Sequence, residues 1–184
     1  MSRAAGFAIG LLVVLAAPAM MGQEQGGPGK RSTDTSIQDF KRAMAVQAAP
    51  DQISDYQSLA KNTEGAKRQA HDLGQRAGAA PDATGLYKPA STLRDTVDQV
   101  QNDTQAFVKG FSKAQAILLK DFTKKLGKAV SEVTKENKGL DEQVKRSAID
   151  PKQLADIASR LEKALSDLET QQHNLASEMG VPGA

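Results

Sequence analysis

Apolar residues recur along one long stretch at Leu93, Val97, Val100, Phe107, Phe111, Ala114, Leu118, Phe122, Leu126, Ala129 and Val133. Their steps are mostly three or four residues, the spacing of one helix face and not of a strand. No proline interrupts the stretch, so the pattern predicts a single helix over about 91–137. At ~1.5 Å per residue the stretch from Leu93 to Val133 would be about 60 Å long. An apolar stripe of that length needs other helices beside it. The chain therefore reads as all-α: an elongated antiparallel helical bundle, or helical hairpins with coiled-coil-like packing, of about four helices.

The other helices follow from their end signals. Thr35 and Gln38 have capping-box spacing, which predicts a short helix over about 35–48 with Ile37, Phe40 and Met44 on its apolar side. Pro50 ends that helix and suits the first position of the next, with Asp51 in its first turn. Ile53, Tyr56, Leu59, Thr63, Ala66, Ala70, Leu73 and Ala77 carry the pattern over 50–77. Gly65 lies within it and costs ~1 kcal/mol relative to Ala. Two prolines and two glycines between Gly78 and Pro89 break the chain, with Leu86 and Tyr87 expected to pack back. Asn137-Lys138-Gly139 has the form of a helix C-terminus with Gly139 left-handed.

The clearest local signal is the last helix, 150–179. Asp150 is a good N-cap, Pro151 suits the first turn, and Gln153 has capping-box spacing. Leu154, Ile157, Leu161, Leu165, Leu168, Gln172, Leu175 and Met179 alternate in steps of three and four, with Gln172 the one polar seam position. Gly180 and Pro182 stop it, leaving a tail over 180–184. Short connections favour antiparallel neighbours, so this helix is expected to fold back along the long one. One α-helical domain over 34–179 results.

The first residues resemble a secretory signal in pattern. Arg3 precedes the apolar run Phe7 to Ala17, and Ala17-Pro18-Ala19 offers a small-x-small cleavage site. The expected signal peptide is 1–22, cut after 19 or 22, with no transmembrane segment in the mature chain because the run is shorter than ~20 residues. Residues 23–33, rich in Gly and polar side chains, read as a flexible tether. The chain is expected to be exported, to the periplasm or beyond the cell. Its lack of cysteine excludes disulfides, thiolate metal sites and cysteine nucleophiles together.

No constellation in the sequence carries catalysis. His173 follows Glu169 by four residues, but no third ligand completes a metal site, and His71 and Asp72 point to different sides of a helix. No Gly-x-Ser-x-Gly elbow is present. Asn102-Asp103-Thr104 matches a glycosylation acceptor but falls inside the long helix. No enzyme activity, metal or cofactor is expected.

Surface charge is more informative. Between Lys109 and Arg146 there are ten basic and five acidic residues, whereas Asp150 to Met179 holds six acids and three bases. At 100° per residue, Lys109, Lys113, Lys120, Lys124, Lys135 and Lys138 gather opposite the Phe107–Phe111–Leu118–Phe122 stripe. These lysines either solvate a long helix or form a basic interaction face. Nucleic acid is not expected as a partner, since no aromatic residues interleave the lysines and the chain is expected to be exported. The function expected is helix-mediated binding to a protein partner or to itself. The alternative is an amphipathic-helix binder of lipid or anionic envelope surfaces.

Overall fold

The structure, a computed structural model, describes the backbone of residues 31–184 and the side chains from residue 38 onward. The expected signal peptide and residues 23–30 of the tether lie outside the described residues. Every regular element among the described residues is an α-helix: α1 (Arg31–Val46), α2 (Pro50–Ala79), α3 (Tyr87–Lys109), α4 (Lys113–Leu118), α5 (Lys120–Lys145) and α6 (Pro151–Glu178). None is long and apolar enough to cross a membrane.

The predicted long helix is three helices. α3 closes at Gly110, whose N–H reaches Ala106 O and Phe107 O at 3.1 and 3.2 Å. The chain then turns, and Ser112 caps α4 by accepting from the Gln115 N–H at 3.2 Å. The Gln115 side chain answers by accepting from the Ser112 N–H at 2.9 Å. Glycine has the poorest helix propensity after proline, and the Ser-x-x-Gln box starts a new helix two residues later. Local chemistry thus overrode an apolar period that runs straight through it. A second break at Leu119, itself fully buried, turns α4 into α5.

The break folds α3 and α5 into an antiparallel pair. Thr134 meets Gln101, Asn137 meets Asp98 and Arg94 meets Asp141, so one partner's number rises as the other's falls. α2 runs antiparallel to α3, and α6 runs antiparallel to both α5 and α2. The four helices α2, α3, α5 and α6 therefore form a closed ring in which each packs on two neighbours. The last helix lies against α2 and against α5, the second half of the stretch expected to be one helix.

Burial follows the apolar pattern closely in α6. Leu154, Leu161, Leu165, Leu168 and Leu175 are wholly buried, and each such leucine contributes about 1.5–3 kcal/mol. Small residues set the α2–α6 spacing: a Cβ at Gly74 would stand 3.6 Å from the Ala158 Cβ. Gln172, the polar seam residue, donates to Thr104 Oγ1 across the ring at 3.2 Å.

Other end signals held in part. Pro50 and Pro151 each open their helices, and Asp150 Oδ1 accepts from the Lys152 and Gln153 N–H groups. The Gln153 side chain does not close the expected box; it accepts from Gln143 and Arg146 instead. Gly180, at φ +68°, ends α6 as expected, with Val181 N–H reaching Ala176 O at 3.0 Å. Gly139 is not a cap: it lies inside α5 with right-handed backbone, facing Ile157. α1 begins at Arg31, so Thr35 is inside the helix and residues 31–33 belong to α1 rather than to the tether. Leu86 packs inward, whereas Tyr87 stays exposed.

Candidate docking surface

Two buried glutamines tie α1 and α4 to one end of the ring. Gln52, in the first turn of α2, accepts from the Ala49 N–H at 3.0 Å and donates to Gly110 O at 3.1 Å. Gln115, in α4, donates to Gln47 O at 3.2 Å. The two amides also bond each other in both directions, at 3.0 and 3.2 Å. Each glutamine therefore closes its own helix start and holds the other's loop. The joint between α1 and α2 and the turn between α3 and α4 are clamped as one unit.

What this clamp presents is uncovered. α1 packs on α4, and Arg42 lies 3.9 Å from Glu178 at the end of α6. Phe40 and Met44, one helical turn apart, are 66% and 57% exposed, and Ile117 of α4 is 73% exposed. The expected apolar side of the first helix thus has its described members Phe40 and Met44 in solvent, and α1 is exposed throughout residues 38–44. Among the described residues only Tyr87, at the far end of α3, joins them as an exposed large hydrophobic.

The six lysines do not form one stripe, because the helix that would carry it is broken. Lys109 closes α3, Lys113 opens α4, and Lys120 and Lys124 lie in the first turns of α5; all four are exposed around the α3–α4–α5 junction. Lys135 is drawn to Glu132 and Glu136, at 3.6 and 4.0 Å. Lys138 lines a separate groove. From Lys109 to Lys125 the chain has five lysines and one acid, Asp121.

That separate groove, about 380 Å3, runs between α3 and α5 and is lined by Arg94, Asp95, Asp98, Gln101, Thr134, Asn137, Lys138 and Asp141. Its charges largely neutralise one another. Arg94 bonds Asp95 at 2.7 Å and Asp141 at 3.4 Å, chiefly through Asp95 holding its proton more firmly. Asp141 is held below the usual carboxylate range, first by its hydrogen bond from Lys145 and then by Arg94. Asn137 donates to Asp98 at 2.7 Å, leaving its own buried Oδ1 without a protein partner. This is a structural polar seam of the α3–α5 pair.

The remaining candidates are engaged elsewhere. Glu169 pairs with Lys67, so it does not join His173. The Glu169 charge and, above all, burial push the Tyr56 hydroxyl up. His71 lies against Glu162 at 3.2 Å on the α2–α6 surface. Thr104 of the Asn102–Thr104 tripeptide is buried. Among the described residues no three His, Cys, Asp or Glu side chains converge as a metal site.

No family model, curated protein or solved structure matches the chain. The one local signal near the glutamine clamp is the capping-box spacing of Ser112 and Gln115 after Gly110, which the stronger apolar period masks. The pairing of Gln115 with Gln52, 63 positions apart, had no sequence signal at all.

Proposed function

We propose that the protein is an exported, non-catalytic helical module, periplasmic or extracellular, that works by docking its α1–α4 end onto an anionic partner surface. The observation that carries this reading is the exposure of Phe40, Met44 and Ile117 on two touching helices beside the lysine-rich α3–α4–α5 junction. Solvent-facing aliphatic and aromatic side chains clustered at one end of a molecule mark interaction sites. The lysines favour an anionic partner over a second copy, since two such ends would oppose like charges. The seam of α6, from Leu161 to Leu175, is read as coiled-coil-like packing that serves the bundle itself and not an outside helix.

Site-specific photocrosslinking in producing cells tests this. A crosslinker at position 44 or 117 should yield adducts that one at Lys163, an exposed residue of α6, does not. Equal yields at all three positions, or none at 44 and 117, would remove the docking end.

A further inference from the structure

Resting on that reading, we infer that the partner is an anionic phospholipid surface, with Phe40, Met44 and Ile117 entering the headgroup–acyl boundary and Lys109, Lys113, Lys120 and Lys124 meeting the headgroups. The apolar residues stand outward from helices, at 66%, 57% and 73% exposure. Such side chains need no shaped pocket to receive them in a bilayer, which yields around a wedge; a folded protein would have to supply one for each.

The charges are arranged for the same task. Lys113 and Ile117 are four residues apart on α4 and share one helix face. Between Lys109 and Lys125 five lysines face one aspartate, an excess of four positive charges along the α3–α4–α5 junction, and the adjoining α1 and helix ends add Lys41 and Arg42 against Asp39, Asp51 and Glu178. Lysine keeps its ammonium among headgroups while its methylene stem lies along apolar surface. Juxtaposed lysines near an anionic leaflet each add measurably to binding, and the effect falls away within a Debye length. Lys113, Lys120 and Lys124 have no ion-pair partner among the described residues, so docking breaks no existing pair.

The other occupants are less well matched. A second copy opposes lysines to lysines, and residues 23–30 offer no apolar side chain but that of Pro28 with which to cover Phe40 and Met44.

Cosedimentation with vesicles decides the matter. The chain from Gln23 contains every described helix and lacks the apolar run that would bind lipid by itself. It should pellet with phosphatidylcholine vesicles containing phosphatidylglycerol at low salt, be released as salt rises, and ignore pure phosphatidylcholine. Phe40→Asp with Met44→Asp, and separately Ile117→Asp, should each weaken binding by more than about tenfold. Lys113→Gln or Lys120→Gln should each weaken it about fivefold, and ion-paired Lys135→Gln should leave it unchanged. Far-UV circular dichroism and urea melts of each variant, matched to the parent, show that the fold survives.

Absence of binding to the anionic vesicles, equal binding to both vesicle types, or indifference to the Asp substitutions would overturn the lipid assignment. Capture on immobilised polyglutamate that Lys113→Gln and Lys120→Gln weaken, without vesicle binding, would also overturn it while leaving the docking end intact. Loss of both, together with absent crosslinks at 44 and 117, would remove the docking end as well.

Discussion

α1 and α6 carry the same kind of apolar period and meet opposite fates. In α6 the leucines from Leu154 to Leu175 are buried, because α2 and α5 flank the helix over its length. In α1 Phe40 and Met44 stand in solvent: among the described residues α1 packs chiefly on six-residue α4, and every residue from 38 to 44 is exposed. Amphipathicity states that a face wants cover; the rest of the chain decides whether cover is supplied. Where it is not, the period points outward, and that contrast underlies the docking surface proposed for this end.

The contrast should be largest in core truncations. Leu165→Ala removes a wholly buried side chain and should cost ~2–5 kcal/mol, with a matching fall in the urea midpoint. Phe40→Ala should change the same melt by no more than about 0.5 kcal/mol, despite removing a larger side chain. Similar costs would erase the distinction between the two regions.

The clamp that joins those regions comes next. Gln115→Ala strips Gln52, the Ser112 N–H and Gln47 O of a partner, and should cost about 1–3 kcal/mol. Amide exchange at Ser112 should rise well beyond the global change. An unaltered melt and unaltered exchange would mean that water replaces the amide without loss.

Backbone effects should be smaller and of opposite sign. A Cβ at Gly65, within α2, would meet nothing within 4 Å, so Gly65→Ala should stabilise by about 0.5–1 kcal/mol in a thermal melt. Destabilisation there would show that α2 is not a regular helix at this point.

The smallest effect belongs to the exposed charges. Lys120→Gln should alter stability by less than about 0.5 kcal/mol, as surface changes usually do. Asp141 offers a pH readout of the bundle side. Its carboxyl is held low in the folded state, so its stabilisation is present above the ordinary carboxylate range and is lost as pH falls through the lowered value. Asp141→Asn should therefore flatten the acid limb of the stability profile slightly; an unchanged limb would mean that Lys145 and Arg94 do not act on it in solution.

Much of the bundle was legible in the residues. The seam of α6, the face of α2 from Tyr56 to Ala77 and the stop at Gly180 all follow from spacing and caps. The hairpin at Gly110 was not, because a period of three and four is blind to a turn that happens to keep its phase. Its capping box was short and local beside forty residues of apolar pattern. The docking end was half legible: Phe40 and Met44 showed as an apolar side, and the lysines as a basic excess. That the apolar side has no cover depends on which helices pack where, which local spacing does not encode.

Segment-resolved hydrogen exchange at equilibrium tests the separation of bundle and docking end most directly. Amides in the middle of α2 and α6 should exchange only through global unfolding, at the free energy that urea melts report. Those of α1 up to Met44 should exchange through an opening well below it, and should slow when anionic vesicles are added. Protection of α1 equal to that of α6 in the free protein would contradict the account, because it would require a cover over Phe40 and Met44 that the described helices do not provide.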